Sequence, residues 1–228
     1  MKLLITGIGS GLGKALAEEA LKRGYEVYAL SRHMPQELTG KVKFVKADLR
    51  ELERVYQRLQ KLLEGTSSLD LVILNAGILG EFGDMHEVPL HRFQEVMNVN
   101  VWANKVILDS LMAMGIRVES IVGISSGASV NCNRGWNAYA LSKASLNCLL
   151  KLYSREMEGT HIIALAPGLV LTPMLEEVMK QDSERFPSVK RIIESPKKTP
   201  EETAKLIFES LPKLREFESG SYIDLRKI

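Results

Sequence analysis

Short apolar runs alternate with stretches of helical period along the whole chain. That alternation restricts the fold more than any single motif does. Lys2–Thr6, Tyr25–Leu30, Val42–Val45, Leu69–Leu74, Val118–Ile124 and His161–Ala166 read as strands, and Tyr222–Leu225 as a closing one. Leu12–Arg23, Leu49–Leu63, Leu90–Met114 and Asn137–Met157 read as helices. Gly24 is placed to stop the first of these, and Asn98–Asn100 to kink the third. Thr172–Glu194 is expected to be helical with a break at Pro187, and Pro200 to open a last helix running to about Ser210. Repeated β-α-β units require right-handed crossovers between parallel strands. The predicted fold is therefore α/β: a doubly wound parallel sheet of about seven strands in three layers, α/β/α. The chain has 228 residues, the size of one such domain. No repeat, low-complexity tract or linker interrupts it, so residues 1–228 are expected to form a single domain.

Composition excludes several classes of function. A formal net charge of +2 leaves no electrostatic footprint for nucleic acid. Apolar stretches are broken too often for a membrane span. Met1-Lys2-Leu3-Leu4-Ile5 reaches Thr6-Gly7 too soon to hold the apolar part of a signal peptide. The two cysteines, Cys132 and Cys148, match no metal or redox spacing. A cytoplasmic protein with reduced thiols and no metal site is the expectation.

Ligands on a sheet of this kind bind beyond the carboxyl ends of the strands. The first strand is followed by Thr6-Gly7-Ile8-Gly9-Ser10-Gly11-Leu12-Gly13, and the fourth by Asn75-Ala76-Gly77. Ser125-Ser126 ends the fifth, and Pro167-Gly168-Leu169-Val170-Leu171-Thr172 follows the sixth. All four segments fall on one edge. Glycines admit positive φ and let backbone N–H groups approach a ligand closely. The helix beginning near Leu12 then turns its positive end toward a pyrophosphate. The same glycines would also serve a tight turn that binds nothing, but the strand before and the helix after favour a dinucleotide. Lys14 follows Gly13, yet no Gly-Lys-Ser/Thr occurs here, so the segment is not a P-loop.

On the predicted helix Asn137–Met157, Tyr139 and Lys143 lie one turn apart on one face. A free phenol has a pKa near ~10. A neighbouring ammonium is expected to lower it and so prepare a proton donor and acceptor for carbonyl–alcohol chemistry. Ser126 precedes Tyr139 by thirteen residues.

With these motifs in place, the chain resembles the short-chain dehydrogenase/reductase family in its short single-domain form. Thr6 to Gly13 matches that family's T-G-x-x-x-G-x-G, and Asn75, Ala76 and Gly77 match its N-A-G. Asn100, Ser126, Tyr139 and Lys143 match its Asn–Ser–Tyr–Lys tetrad, with Asn100 preferred to Asn98 as the last residue of N-x-N. Pro167, Gly168 and Thr172 match its P-G segment with the following Thr. The resemblance covers Met1 to about Thr172 and extends to fold alone beyond it.

The resemblance implies a Rossmann-type fold and an NAD(P)-dependent oxidoreductase, a carbonyl reductase or alcohol dehydrogenase. By it, Tyr139 is the general acid in reduction and the general base in oxidation. Lys143 lowers the Tyr139 pKa and holds the nicotinamide ribose. Ser126 donates to the substrate oxygen, and Asn100 holds a water linking Lys143 to solvent. The implied cofactor-binding residues are Gly7, Gly9, Ser10, Gly11, Leu12, Gly13, Ser31, Arg32, Asp48, Leu49, Asn75, Ala76, Gly77, Tyr139, Lys143, Pro167, Gly168, Val170 and Thr172. NAD-preferring members carry an acidic residue where this chain has Ser31. Arg32 beside it offers a cation for a 2′-phosphate, so NADP(H) is expected, with NAD(H) possible. Ser10 supplies no second basic group. Asp48-Leu49 fits the adenine-contacting pair, and Asp48 equally fits a cap for the next helix.

Residues near Leu79 and Val130, with Trp136, Met174 and Leu175, suggest an apolar pocket for a small uncharged carbonyl or alcohol. The segment of about 172–198 is expected to shape it. Ser142 and Ser145 read as packing residues. His33, His86, His91 and His161 form no motif and read as surface or strand-end residues. Leu141, Cys148 and Leu152 on one flank of the Tyr139 helix suggest a homodimer or homotetramer. Two other readings compete: a dinucleotide sensor without turnover, which the intact tetrad disfavours, and a sugar-nucleotide epimerase, whose chains are longer and space their glycines differently.

Overall fold

The computed structural model describes residues 1–228. Its strands are β1 (Lys2–Thr6), β2 (Glu26–Ser31), β3 (Lys43–Lys46), β4 (Ser68–Leu74), β5 (Arg117–Ile124), β6 (His161–Ala166) and β7 (Tyr222–Asp224). They form one seven-stranded sheet in the order β3-β2-β1-β4-β5-β6-β7, parallel throughout. Winding reverses direction between β1 and β4, which opens a crevice at their carboxyl ends.

The period-two alternation of each strand feeds two cores. Leu3 and Ile5 of β1, with Val27 and Ala29 of β2, pack beneath α1 (Gly11–Lys22) and α9 (Pro200–Leu214). Leu4, Tyr28 and Leu30 point the other way, toward α2 (Leu52–Leu62), α4 (Ala103–Ala113) and α6 (Asn137–Glu156). A third, smaller cluster lies beyond the sheet edge, where α7 (Pro173–Met179) and α8 (Pro187–Glu194) close over Leu79, Ala128, Tyr139 and Ala140.

Most boundaries follow from local chemistry. Gly24 ends the α1 region at φ +78°, a conformation that glycine adopts without a Cβ penalty. Thr172 caps α7 by accepting the Leu175 N–H, and Pro173 takes the first turn. Thr199 and Glu202 form a reciprocal capping box on α9. Pro187 opens α8 instead of interrupting a longer helix, because its missing N–H costs nothing in a first turn.

One expectation is refined and two are corrected. The long helix at 90–114 is α3 (Leu90–Met97) and α4 joined by a π-helical stretch over Asn98–Trp102. This places the expected kink, as one wider turn. Next, α2 starts at Leu52 with Glu51 as its N-cap, so Asp48 is not the cap. The Asp48 carboxylate instead accepts the Arg50 N–H at 3.0 Å and pairs with the Arg50 guanidinium at 2.6 Å. Val130, expected near the pocket, sits on the short α5 (Ala128–Asn131) with 63% of its surface exposed.

Candidate active site

The loops after β1 and β4 are stitched together where they diverge. The Thr6 hydroxyl accepts the N–H groups of Asn75 and Ala76, at 3.1 and 3.0 Å. The Asn75 amide returns two bonds, to the carbonyls of Thr6 at 3.1 Å and Gly7 at 2.9 Å. A buried backbone turn needs such partners. Gly7 and Gly11 adopt φ of +74° and +53°, which explains glycine at both.

This turn opens one end of a cleft of about 780 Å³. The cleft is lined by Gly7, Gly9 through Gly13, Ser31, Arg32, Asp48, Leu49, Asn75, Ala76, Gly77, Ser126, Tyr139, Lys143, Pro167, Gly168, Val170 and Thr172. Every site residue expected from sequence is therefore on its wall, except Asn100. Several wall residues were not expected there. His33 lines the cleft, and a side chain added at Gly9 would lie 3.4 Å from the His33 Cβ. Its position directly after Arg32 at the end of β2 was the available signal. Arg50 and Glu95 face each other across the same end at 3.3 Å. Arg32 forms no ion pair, whereas Asp48 is neutralised by Arg50, which holds its carboxyl below the usual range.

Tyr139 and Lys143 stand at the other end, one turn apart on α6. Burial pushes the Tyr139 phenol above its ordinary pKa, opposed by the Ser126 side chain. Lys143 is buried, and desolvation lowers its ammonium to about 8. Its Nζ donates to the Ile124 carbonyl at 2.7 Å and lies 5.7 Å from the centre of the Tyr139 ring. The lysine ammonium is engaged by a strand-end carbonyl, and burial is the larger influence on the phenol.

Asn100 lies behind the wall. Its amide donates to the Ile78 carbonyl and the Ser142 hydroxyl, both at 2.9 Å, and its oxygen accepts the Ile78 N–H at 2.8 Å. Two of these bonds tie the π-helical stretch to the β4 loop, and the third ties it to α6. Ser142, read as packing, is thus part of this brace. A Cβ at Gly77 would sit 3.3 Å from Asn100 Oδ1 and 3.5 Å from Lys143 Nζ, so glycine there permits the close approach.

Leu79, Trp136, Met174, Leu175 and Val178 form the apolar wall near Tyr139, with Glu177 at the rim. The Trp136 indole is 5.7 Å from the Tyr139 ring and is aimed by an Nε1–H bond to Ser188 of α8 at 3.0 Å. The 172–198 excursion is tied at its base, where Leu171 donates to Lys198 and Lys198 to Leu169. Its far side is held by Asp84, which accepts from Arg134 and Arg185 at 2.6 and 2.8 Å. Those two guanidiniums hold the Asp84 carboxyl well below the usual carboxylate range.

Comparison with known proteins agrees with this geometry. A family profile described as short chain dehydrogenase matches residues 2–183. The Bacillus subtilis benzil reductase ((S)-benzoin forming) is 32% identical over 203 residues, covering 82% of each chain. The 2-(R)-hydroxypropyl-CoM dehydrogenase of Xanthobacter autotrophicus is 31% identical over 207 residues, covering 83% of this chain and 82% of that one. Among solved structures, a Beutenbergia cavernae protein assigned as an NAD(P)-dependent gluconate 5-dehydrogenase, with NADP bound at low occupancy, superposes with a TM-score of 0.81. That pair is 28% identical, over 98% of this chain and 94% of the other. The chain belongs to the short-chain dehydrogenase/reductase family and is one of its carbonyl/alcohol oxidoreductases.

Proposed function

We propose that this protein interconverts a small uncharged carbonyl compound and an alcohol with NADP(H), Tyr139 acting as general acid and base. One observation carries the reading: a single cleft joins the glycine turn and free Arg32 at one end to Tyr139, Ser126 and Lys143 at the other. The residues fit a dinucleotide. The turn is pinned from both sides, and Gly9 and Gly77 line the cleft with bare backbone. Gly7 to Gly13, Asn75 to Gly77, and Pro167 to Thr172 would hold the cofactor, whose chemistry is hydride donation or acceptance.

In reduction, the phenol of Tyr139 gives its proton to the substrate oxygen. Burial keeps that phenol protonated across neutral pH. The Ser126 hydroxyl donates to the same oxygen as charge builds on it. Lys143 supplies a positive charge at the inner wall, and Asn100 braces the helix that carries both. Trp136, Leu79 and Leu175 exclude water and favour an apolar substituent beside the carbonyl. The name of the Bacillus subtilis relative, a reductase of an aromatic diketone, supports the same substrate class.

NADPH oxidation over a panel of aryl and alkyl ketones and aldehydes tests the assignment. Tight cofactor binding with no turnover of any carbonyl would favour a dinucleotide sensor. Arg32 gives the cofactor prediction. Arg32→Ala should weaken NADPH by about tenfold or more and leave NADH nearly unchanged, because a charge-assisted contact contributes roughly 1.5–3 kcal/mol. Equal loss for both cofactors, measured by fluorescence titration, would remove Arg32 from cofactor selection.

Exposed Leu141, Cys148 and Leu152 share one flank of α6, which supports a homodimer or homotetramer. No helix is long and apolar enough to cross a membrane. The two free cysteines fit a reducing cytoplasm.

A further inference from the structure

Tyr139, Lys143 and Asn147 occupy successive turns of one face of α6, and each faces the same short turn between β5 and α5. Tyr139 and Ser126 line the same cleft, and Lys143 donates to the Ile124 carbonyl at 2.7 Å. Asn147 makes two contacts. Its Oδ1 accepts from the Ser125 hydroxyl at 2.5 Å, and its Nδ2 donates to the Ser129 hydroxyl at 2.9 Å. The Ser129 hydroxyl donates in turn to the Ser126 carbonyl at 2.6 Å.

The direction of this chain of bonds is fixed by proton count. Ser129 has one hydroxyl proton, and it is used on Ser126, so Asn147 must be the donor to Ser129. Ser125 and Ser129 are both buried, so neither hydroxyl has bulk water as a ready replacement partner. Ser126 itself accepts the Ala128 N–H at 3.1 Å. Its own proton is left for Tyr139 or a substrate oxygen. Serine side chains on both sides of Ser126 are thus held by one amide that does not line the cleft.

We propose that Asn147 is a positioning residue for the reaction, acting through Ser125 and Ser129 to fix the aim of the Ser126 hydroxyl. The inference rests on the functional reading above. It extends the catalytic face of α6 by one turn, with the added residue working on the serine instead of the substrate. Misplacing a reacting group by about 1 Å can cost roughly a hundredfold in rate, so a fraction of that displacement is enough to matter.

The test is a double-mutant cycle on the full chain with NADPH and the best carbonyl substrate. Asn147→Ala should lower kcat by roughly tenfold or more while NADPH affinity, read by fluorescence, stays within twofold of wild type. In a Ser126→Ala background the same substitution should cost almost nothing further, because the group it aims is gone. A general loosening of the fold would instead add its full cost in both backgrounds. Ser129→Ala breaks the relay while leaving the Ser125–Asn147 pair intact. It should reproduce the kcat loss and serves if Asn147→Ala folds poorly. Wild-type kcat in both single variants, or additive losses with Ser126→Ala, would overturn the inference and leave the enzyme assignment standing. Wild-type protein with no turnover of any carbonyl would overturn the functional reading and the inference with it.

Discussion

Tyr139→Phe should bind NADPH as tightly as wild type and lose turnover by about 10²–10⁴-fold, the range of a positioned general acid or base. The substitution removes one hydroxyl from a ring that stays packed in the same place. Trp136 lies on one side of that ring, and Leu79, Ala128 and Leu175 belong to the same cluster. Fold and cleft shape should survive, and single-turnover measurements would isolate the proton transfer. The phenol also sets the sign of the pH dependence. Burial raises its pKa, so it is protonated throughout the neutral range and carbonyl reduction needs no prior titration of it. Alcohol oxidation needs the phenolate and should rise with pH through the alkaline range. A Phe variant that keeps more than a tenth of wild-type kcat would move the proton donor elsewhere, and buried Lys143, with its pKa near 8, would be the next group to test.

The architecture was readable because it rests on pattern at long range. Alternating β and α segments leave few topologies once crossovers must be right-handed, and the observed strand order is one of them. The glycine turn was readable for a related reason, since Gly7 and Gly11 sit at positive φ where other side chains are strained. What the sequence concealed depends on contacts between distant residues. Nothing in Asp48-Leu49-Arg50 announces that Arg50 takes the carboxylate and that α2 starts after Glu51 with no side-chain cap. Ser142 and Asn147 look like ordinary polar positions on a long helix. Their roles appear only when Asn100 and the Ser125–Ser129 turn arrive from other parts of the chain. The contact that Lys143 makes was hidden for a similar reason. Spacing puts Lys143 on the Tyr139 face, but the ammonium turns to a carbonyl that only the folded β5 supplies.

Gly13→Ala should be the most damaging single methyl that can be added to this protein's cofactor end. A Cβ at that position would lie 1.9 Å from the Gly7 carbonyl oxygen and 2.4 Å from the Asn75 Nδ2. Neither neighbour can yield cheaply. The carbonyl is backbone just past the carboxyl end of β1, and the Asn75 amide is held by Thr6 and Gly7 together. Gly13 does not have a positive φ, so the conflict is one of space. Relieving it means sliding the start of α1 away from the β1 turn, which separates the N–H groups meant for a pyrophosphate. Overpacking of this kind costs roughly 1–3 kcal/mol, occasionally more. NADPH affinity should fall by more than tenfold, since the displaced backbone is the binding element itself. Gly24→Ala makes the contrasting control: its φ is +78° and nothing lies within 4 Å. It should cost about 1 kcal/mol of stability through conformational strain and leave cofactor affinity alone. If Gly13→Ala matched Gly24→Ala in both denaturation midpoint and NADPH titration, the close packing of helix on turn would not be what shapes the dinucleotide site.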